Sequence, residues 1–235
     1  MKIEAVCEYN DLGYLIYAAN YPGAFVRGTS ENEALAKFPG EVRSYLRWRG
    51  ETAPGFDAPE IETVQRKLSD LQICDADSDV LFDLERQPMT QAEYEAQKLL
   101  VLKSAEDFEA LYRSIPNPDI SGRPPRRTFY GAVPRTPRRM YEHVNQTTSY
   151  YAAAMGVELE NLPDLYANRM QVLAEIEQPE DFLEGPVHIA PDGESWTLRK
   201  LLRRFLWHDR IHARAMWRTA TALWGDSIAN PFYFV

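Results

Sequence analysis

The sequence predicts an α+β N-terminal module followed by an all-α four-helix bundle with a long crossover connection, divided into residues 1–86 and 87–235. Three observations carry this expectation. Short β-type runs with turn signals fill the start of the chain, and four stretches with apolar residues at helical spacing fill the rest. Six prolines between Pro116 and Pro137 leave no room there for a regular element. Charge balance changes near residue 87: residues 1–86 carry 9 basic and 16 acidic side chains, and residues 87–235 carry 17 and 19.

In the first part, Ile3–Cys7 and Gly13–Tyr17 are β-type runs joined by the turn signal Asn10-Asp11-Leu12-Gly13, a hairpin signature. A third short strand, Ala24–Gly28, follows Tyr21-Pro22-Gly23. Thr29 or Ser30 then caps a helical stretch marked by Ala34, Leu35, Phe38, Val42, Tyr45 and Leu46. Pro39-Gly40 interrupts it, so either two helices or one kinked helix is expected. Further β-type runs at Ile61–Leu71 and Asp79–Leu84 complete the module.

The second part opens on Thr90 and Glu93, a capping-box pattern, after which Val101, Ala105, Phe108, Tyr112 and Ile115 mark a long amphipathic helix. Beyond the proline-stiffened connection, Thr136-Pro137 starts a second helix that Gly156 ends. Asn161–Ile176 makes a third, and Ser195-Trp196-Thr197 opens a fourth that runs to Trp224-Gly225.

Composition excludes several classes of function. No stretch approaches the roughly 20 consecutive apolar residues of a membrane span, and Met1–Ala5 lacks the apolar core of a secretory signal, so a cytoplasmic protein is expected. Cys7 and Cys74 read as buried free thiols rather than a disulfide scaffold or zinc knuckle. A net charge of −9 argues against a general nucleic-acid binder.

Four histidines occur, His143, His188, His208 and His212. His208 and His212 are four apart, which places both imidazoles on one side of the last helix, one turn from each other. On a helical wheel they share a sector with Leu201, Phe205, Ala215 and Thr219, while Arg199, Arg203, Arg210 and Arg214 fall on the far side. His143 lies beside the stripe Met140, Val144, Thr147, Tyr151 and Ala154 and can reach the same interior. Three neutral imidazoles on rigid helices suit zinc or nickel, with iron or manganese as further candidates, and leave coordination positions open to water or substrate. Glu142 and Asp209 point away from the ligand sector, so neither is assigned as a general base.

The segment from Trp196 to His212 resembles the last helix of the DinB/YfiT-like four-helix bundles, with its His-x-x-x-His pair, and His143 fits the third histidine those proteins carry on their second helix. The likeness covers roughly residues 88–225. It implies a three-histidine divalent-metal site and, from characterised relatives, thiol-dependent transfer or isomerisation that uses a low-molecular-weight thiol. Tyr14–Tyr17 followed by Tyr21–Leu35 resembles the HicB-type antitoxin core: strand, Pro-Gly turn, strand, and a helix starting at a Thr/Ser cap. The chain has no counterpart of the DNA-binding segment of those antitoxins, so this likeness implies an interaction or oligomerisation module, with a homodimer or protein partner as its expected occupant.

The remaining signals read more plainly. His188 falls in the loop Gly185–Gly193 and reads as a surface histidine. Arg123, Arg126, Arg127, Arg135, Arg138 and Arg139 form a basic run with no acid, either an anion site or solvated charge on the connection. Tyr150, Tyr151, Trp207, Trp217 and Trp224 are expected to pack in the core or between modules. The aromatic segment Pro231–Val235 should dock on the bundle, the front module or a partner. Two functional readings compete: a metal-dependent enzyme that activates a bound thiol or water toward a small-molecule substrate, and a non-catalytic protein-interaction or antitoxin-related protein with a metal-stabilised helical scaffold.

Overall fold

The computed structural model describes residues 2–51, 59–128 and 131–235. Two compact units compose it: Met1–Asp83 with Phe232–Val235, and Leu84–Pro231.

In the first unit, strands β1 (Lys2–Asn10), β2 (Gly13–Ala18) and β3 (Phe25–Gly28) precede helices α1 (Glu31–Leu35) and α2 (Phe38–Trp48) and strand β4 (Glu60–Leu68). The sheet order is β3-β2-β1-β4, with β1 antiparallel to β2 and parallel to β4. Asn10 builds the hairpin turn, its side chain accepting from the Leu12 amide at 2.9 Å. Gly13 is required beside it, because a Cβ there would stand 2.9 Å from the Gly28 carbonyl oxygen. Ser30, not Thr29, is the N-cap of α1. Pro39 sits in the first turn of α2, where its missing N–H breaks no helical bond, so the stretch is two helices and not one kinked one.

Asp79–Leu84 is not a strand. Val80, Leu81 and Phe82 are buried, with the Phe82 ring 5.4 Å from that of Tyr17, so the segment lies against the sheet rather than extending it. The Gln65 side chain ties it to β4, donating to the Leu81 carbonyl and accepting from the Asp83 amide. Beneath it, the Tyr17 hydroxyl donates to Ser78 Oγ at 2.7 Å, and Ser78 donates to the buried Glu8 carboxyl at 2.5 Å. Phe232–Val235 packs on α2 of the same unit. Phe232 is fully buried and stacks on Trp48, Ser44 Oγ donates to the carbonyls of Phe232 and Tyr233, and the Arg47 guanidinium lies over the Tyr233 ring.

The second unit contains α3 (Gln91–Arg113), the strand pair β5 (Arg127–Thr128) and β6 (Gly131–Ala132), α4 (Pro137–Ala154), α5 (Leu165–Ile176), the pair β7 (His188–Ile189) and β8 (Ser195–Trp196), and α6 (Leu198–Trp224). Both halves of the Thr90/Glu93 capping box are present on α3. α5 begins at an Asp164 cap, later than Asn161, because Pro163 precedes it and the buried Glu109 carboxylate of α3 accepts from the Leu165 amide at 2.8 Å. The proline-rich connection holds a short antiparallel strand pair, and Arg138 anchors the connection by two hydrogen bonds to Asp119.

α6 lies centrally. Residues 201–210 are all buried, so the side of α6 that carries its arginines is covered as well as the side that carries its histidines: Arg203 pairs with the buried Glu85, and Arg210 is fully buried. Periodicity reports contrast between the faces of a helix, and α6 has a covered charged face opposite a covered apolar one. Among the described residues no helix is long and apolar enough to cross a membrane.

Candidate metal centre

α4 supplies His143 and α6 supplies His208 and His212, and the packing of these two helices brings the three rings together. Ring centroids lie 5.0 Å apart for His143 and His208, 4.7 Å for His143 and His212, and 4.5 Å for His208 and His212. One nitrogen from each falls within 4.8 Å of the others, and the Nε2 atoms of His143 and His208 are 3.1 Å apart. Nitrogen ligands about 2.0–2.1 Å from one zinc ion in tetrahedral geometry stand somewhat over 3 Å from each other. The trio is therefore close to ligand spacing and can hold a metal ion.

Electrostatics agree. Burial lowers the imidazole of His143, and burial with the neighbouring histidines lowers His208 well below the ordinary value and His212 to about 3. All three stay neutral, with lone pairs available, near physiological pH. Three converging imidazoles cannot all be satisfied by hydrogen bonds among themselves, and His208 Nδ1 is buried without a partner among the described residues. His208 is 7% exposed, whereas His143 and His212 are half-buried.

Around the trio stand residues that sequence reading assigned no role at the site. Tyr151 of α4 meets His208 edge-on at 5.8 Å, and burial pushes its phenol up. Asp209 turns away from the histidines and accepts from Arg169 Nη2 of α5 and Ser104 Oγ of α3, at 2.8 and 2.9 Å. Arg169 also lies 3.7 Å over the Phe205 ring. An arginine, next to Asn168, within the stripe Leu165, Val172, Leu173 and Ile176 of α5 was the available signal for this pair.

His188 is not part of the cluster. It is half-buried in β7, paired with Trp196. Arg123, Arg126, Arg127, Arg138 and Arg139 are exposed on the connection and around the start of α4, and Arg135 is half-buried. Trp207 is buried and Trp217 and Trp224 half-buried, but Tyr150 is exposed, its hydroxyl donating to Asp192, and Cys74 is exposed rather than buried. No family model, curated protein or solved structure matches this chain.

Proposed function

We propose that His143, His208 and His212 bind one divalent ion, zinc or nickel before iron or manganese, and that the chain is a metal-dependent enzyme of the DinB-like type. The convergence of three neutral imidazoles from two packed helices carries this reading. Imidazole-only donor sets suit borderline ions, and the hard ions magnesium and calcium prefer carboxylate oxygen. A bound ion supplies Lewis acidity, lowering the pKa of a water or low-molecular-weight thiol so that it acts as a nucleophile near neutral pH.

The protein's own residues hold and shape the centre. His208 and His212 are fixed one turn apart by α6, and His143 is set opposite by α4. The Asp209 carboxylate is committed to Arg169 and Ser104 and so is withheld as a fourth ligand. Half-buried His143 and His212 favour a centre open to substrate over a sealed structural one. The first unit is read as a HicB-like interaction module that takes a protein partner or a second copy of the chain.

Elemental analysis of the purified protein, with a screen of thiol conjugation to electrophilic small molecules, tests the reading. About one zinc or nickel per chain and metal-dependent conjugation are expected. A chain that takes up no divalent metal overturns the assignment, and a stoichiometric metal without turnover in that screen overturns its thiol-transferase form.

A further inference from the structure

A divalent ion on His143, His208 and His212 keeps its double charge, because the donors are neutral and no carboxylate joins the group among the described residues. A partly buried charge without a counter-charge is costly, so the remaining coordination positions favour a negatively charged ligand. The surroundings carry the same sign. Arg169 and Arg204 both bear on His208. The acid nearest Arg169 is Asp209, already engaged, and Glu194 is shared by two cations, Lys200 at 2.8 Å and Arg204 at 3.4 Å.

Tyr151 adds a directional contact. Its ring stands edge-on to His208, at 77°, with the Arg204 guanidinium 5.5 Å from the ring centre. Helical side chains lean toward the N-terminus of their helix, so Tyr151, two turns beyond His143 on α4, projects back toward it. The residue is 4% exposed, and no protein group among the described residues accepts from its hydroxyl, which is left able to turn to a ligand.

We propose that an oxyanion, of which a carboxylate is the simplest form, takes one of the open positions of the three-histidine centre beside the activated water or thiol, and that the Tyr151 hydroxyl donates a hydrogen bond to it. Substrates of the centre are then small molecules that present an ionised oxygen to the metal. Tyr151 recognises this group, and the two arginines set the sign of the field around it. The inference rests on the metal reading of the site.

The test uses the full chain loaded with cobalt(II), whose visible absorption reports its ligands, titrated with acetate. Cobalt binding is measured first, and its failure in the wild type refutes the metal reading itself. With cobalt bound, acetate is expected to change the visible spectrum and to produce a tyrosine difference band in the near ultraviolet. Tyr151→Phe keeps the ring, and should bind cobalt with the same affinity and spectrum as the wild type. Its acetate affinity should fall about 5- to 10-fold, the effect of one hydrogen bond to a charged acceptor. Cobalt that binds normally but ignores acetate, or acetate affinities within about twofold in the two proteins, overturns the oxyanion proposal and leaves the metal site standing. The wild-type difference band decides the tyrosine contact even if the variant folds poorly: its absence removes Tyr151 from the site.

Discussion

Asp209 of α6 and Arg169 of α5, both fully buried, are joined by a 2.8 Å hydrogen bond one residue along the chain from His208. Ser104 of α3 donates to the second oxygen of the same carboxylate, so three helices meet at one acid beside the candidate metal centre. Burial pushes the Asp209 carboxyl up and the Arg169 guanidinium down, and the mutual contact offsets both.

Removing one partner should therefore be costly. Asp209→Ala leaves the Arg169 guanidinium buried without its carboxylate, and a loss of about 3–5 kcal/mol is expected. The double change Arg169→Met with Asp209→Leu removes both charges and should recover most of that loss. Urea denaturation of the three proteins measures it, and a single variant as stable as the wild type would show that the pair does not hold the bundle.

Metal should stabilise the wild type and not His208→Ala. At free metal about 100 times the dissociation constant, binding adds about 2.7 kcal/mol to the folded state. Melting with and without zinc or nickel gives the gap. A gap of the same size in both proteins would remove His208 from the ligand set.

The metal-free chain should lose stability in acid partly through these histidines. Their folded values lie below the ordinary 6.5, so their stabilisation is complete above that pH and is lost as pH falls toward the folded values, about 3 for His212. Glu8 works in the opposite direction: burial raises its carboxyl from 4.5 to about 6, so its contribution is full below 4.5 and is lost as pH rises through about 6. Comparing His212→Phe with the wild type isolates one histidine. The variant should lose less stability between pH 7 and pH 5, and parallel curves would mean that His212 is not held neutral by the fold.

Phe232→Ala empties a fully buried position against Trp48 and should destabilise the first unit by about 3–5 kcal/mol, with Ser44→Ala costing about 1 kcal/mol. Denaturation followed by tryptophan fluorescence checks both, and a Phe232→Ala protein within about 0.5 kcal/mol of wild type would show that the segment is not part of that core.

Residues 84–231, expressed alone, should fold as a helical domain with the same metal-dependent gain in melting temperature, since the three histidines and the Arg169–Asp209 pair all lie within them. Circular dichroism with added metal tests this. A fragment that stays unfolded would show that the two units share one folding core.

How far the sequence reached follows from the range of each interaction. The β1–β2 hairpin, the Thr90/Glu93 capping box and the Thr136-Pro137 start of α4 were legible, because alternation, caps and turns act between residues at most a few positions apart. The co-facial His208/His212 pair was legible for the same reason, being fixed by helix geometry alone. Only the tertiary structure decided the rest. Glu85 meets Arg203 across 118 positions and Arg169 meets Asp209 across 40, so no local pattern could show that the arginines of α6 are buried beside its histidines. Asp79–Leu84 has the composition of a strand, yet it covers the sheet because its apolar residues are buried there while Gln65 satisfies its backbone. Local hydrogen bonding selects which segments become helix or strand. Which faces are then covered, and which side chains converge on one point, depends on how those elements pack.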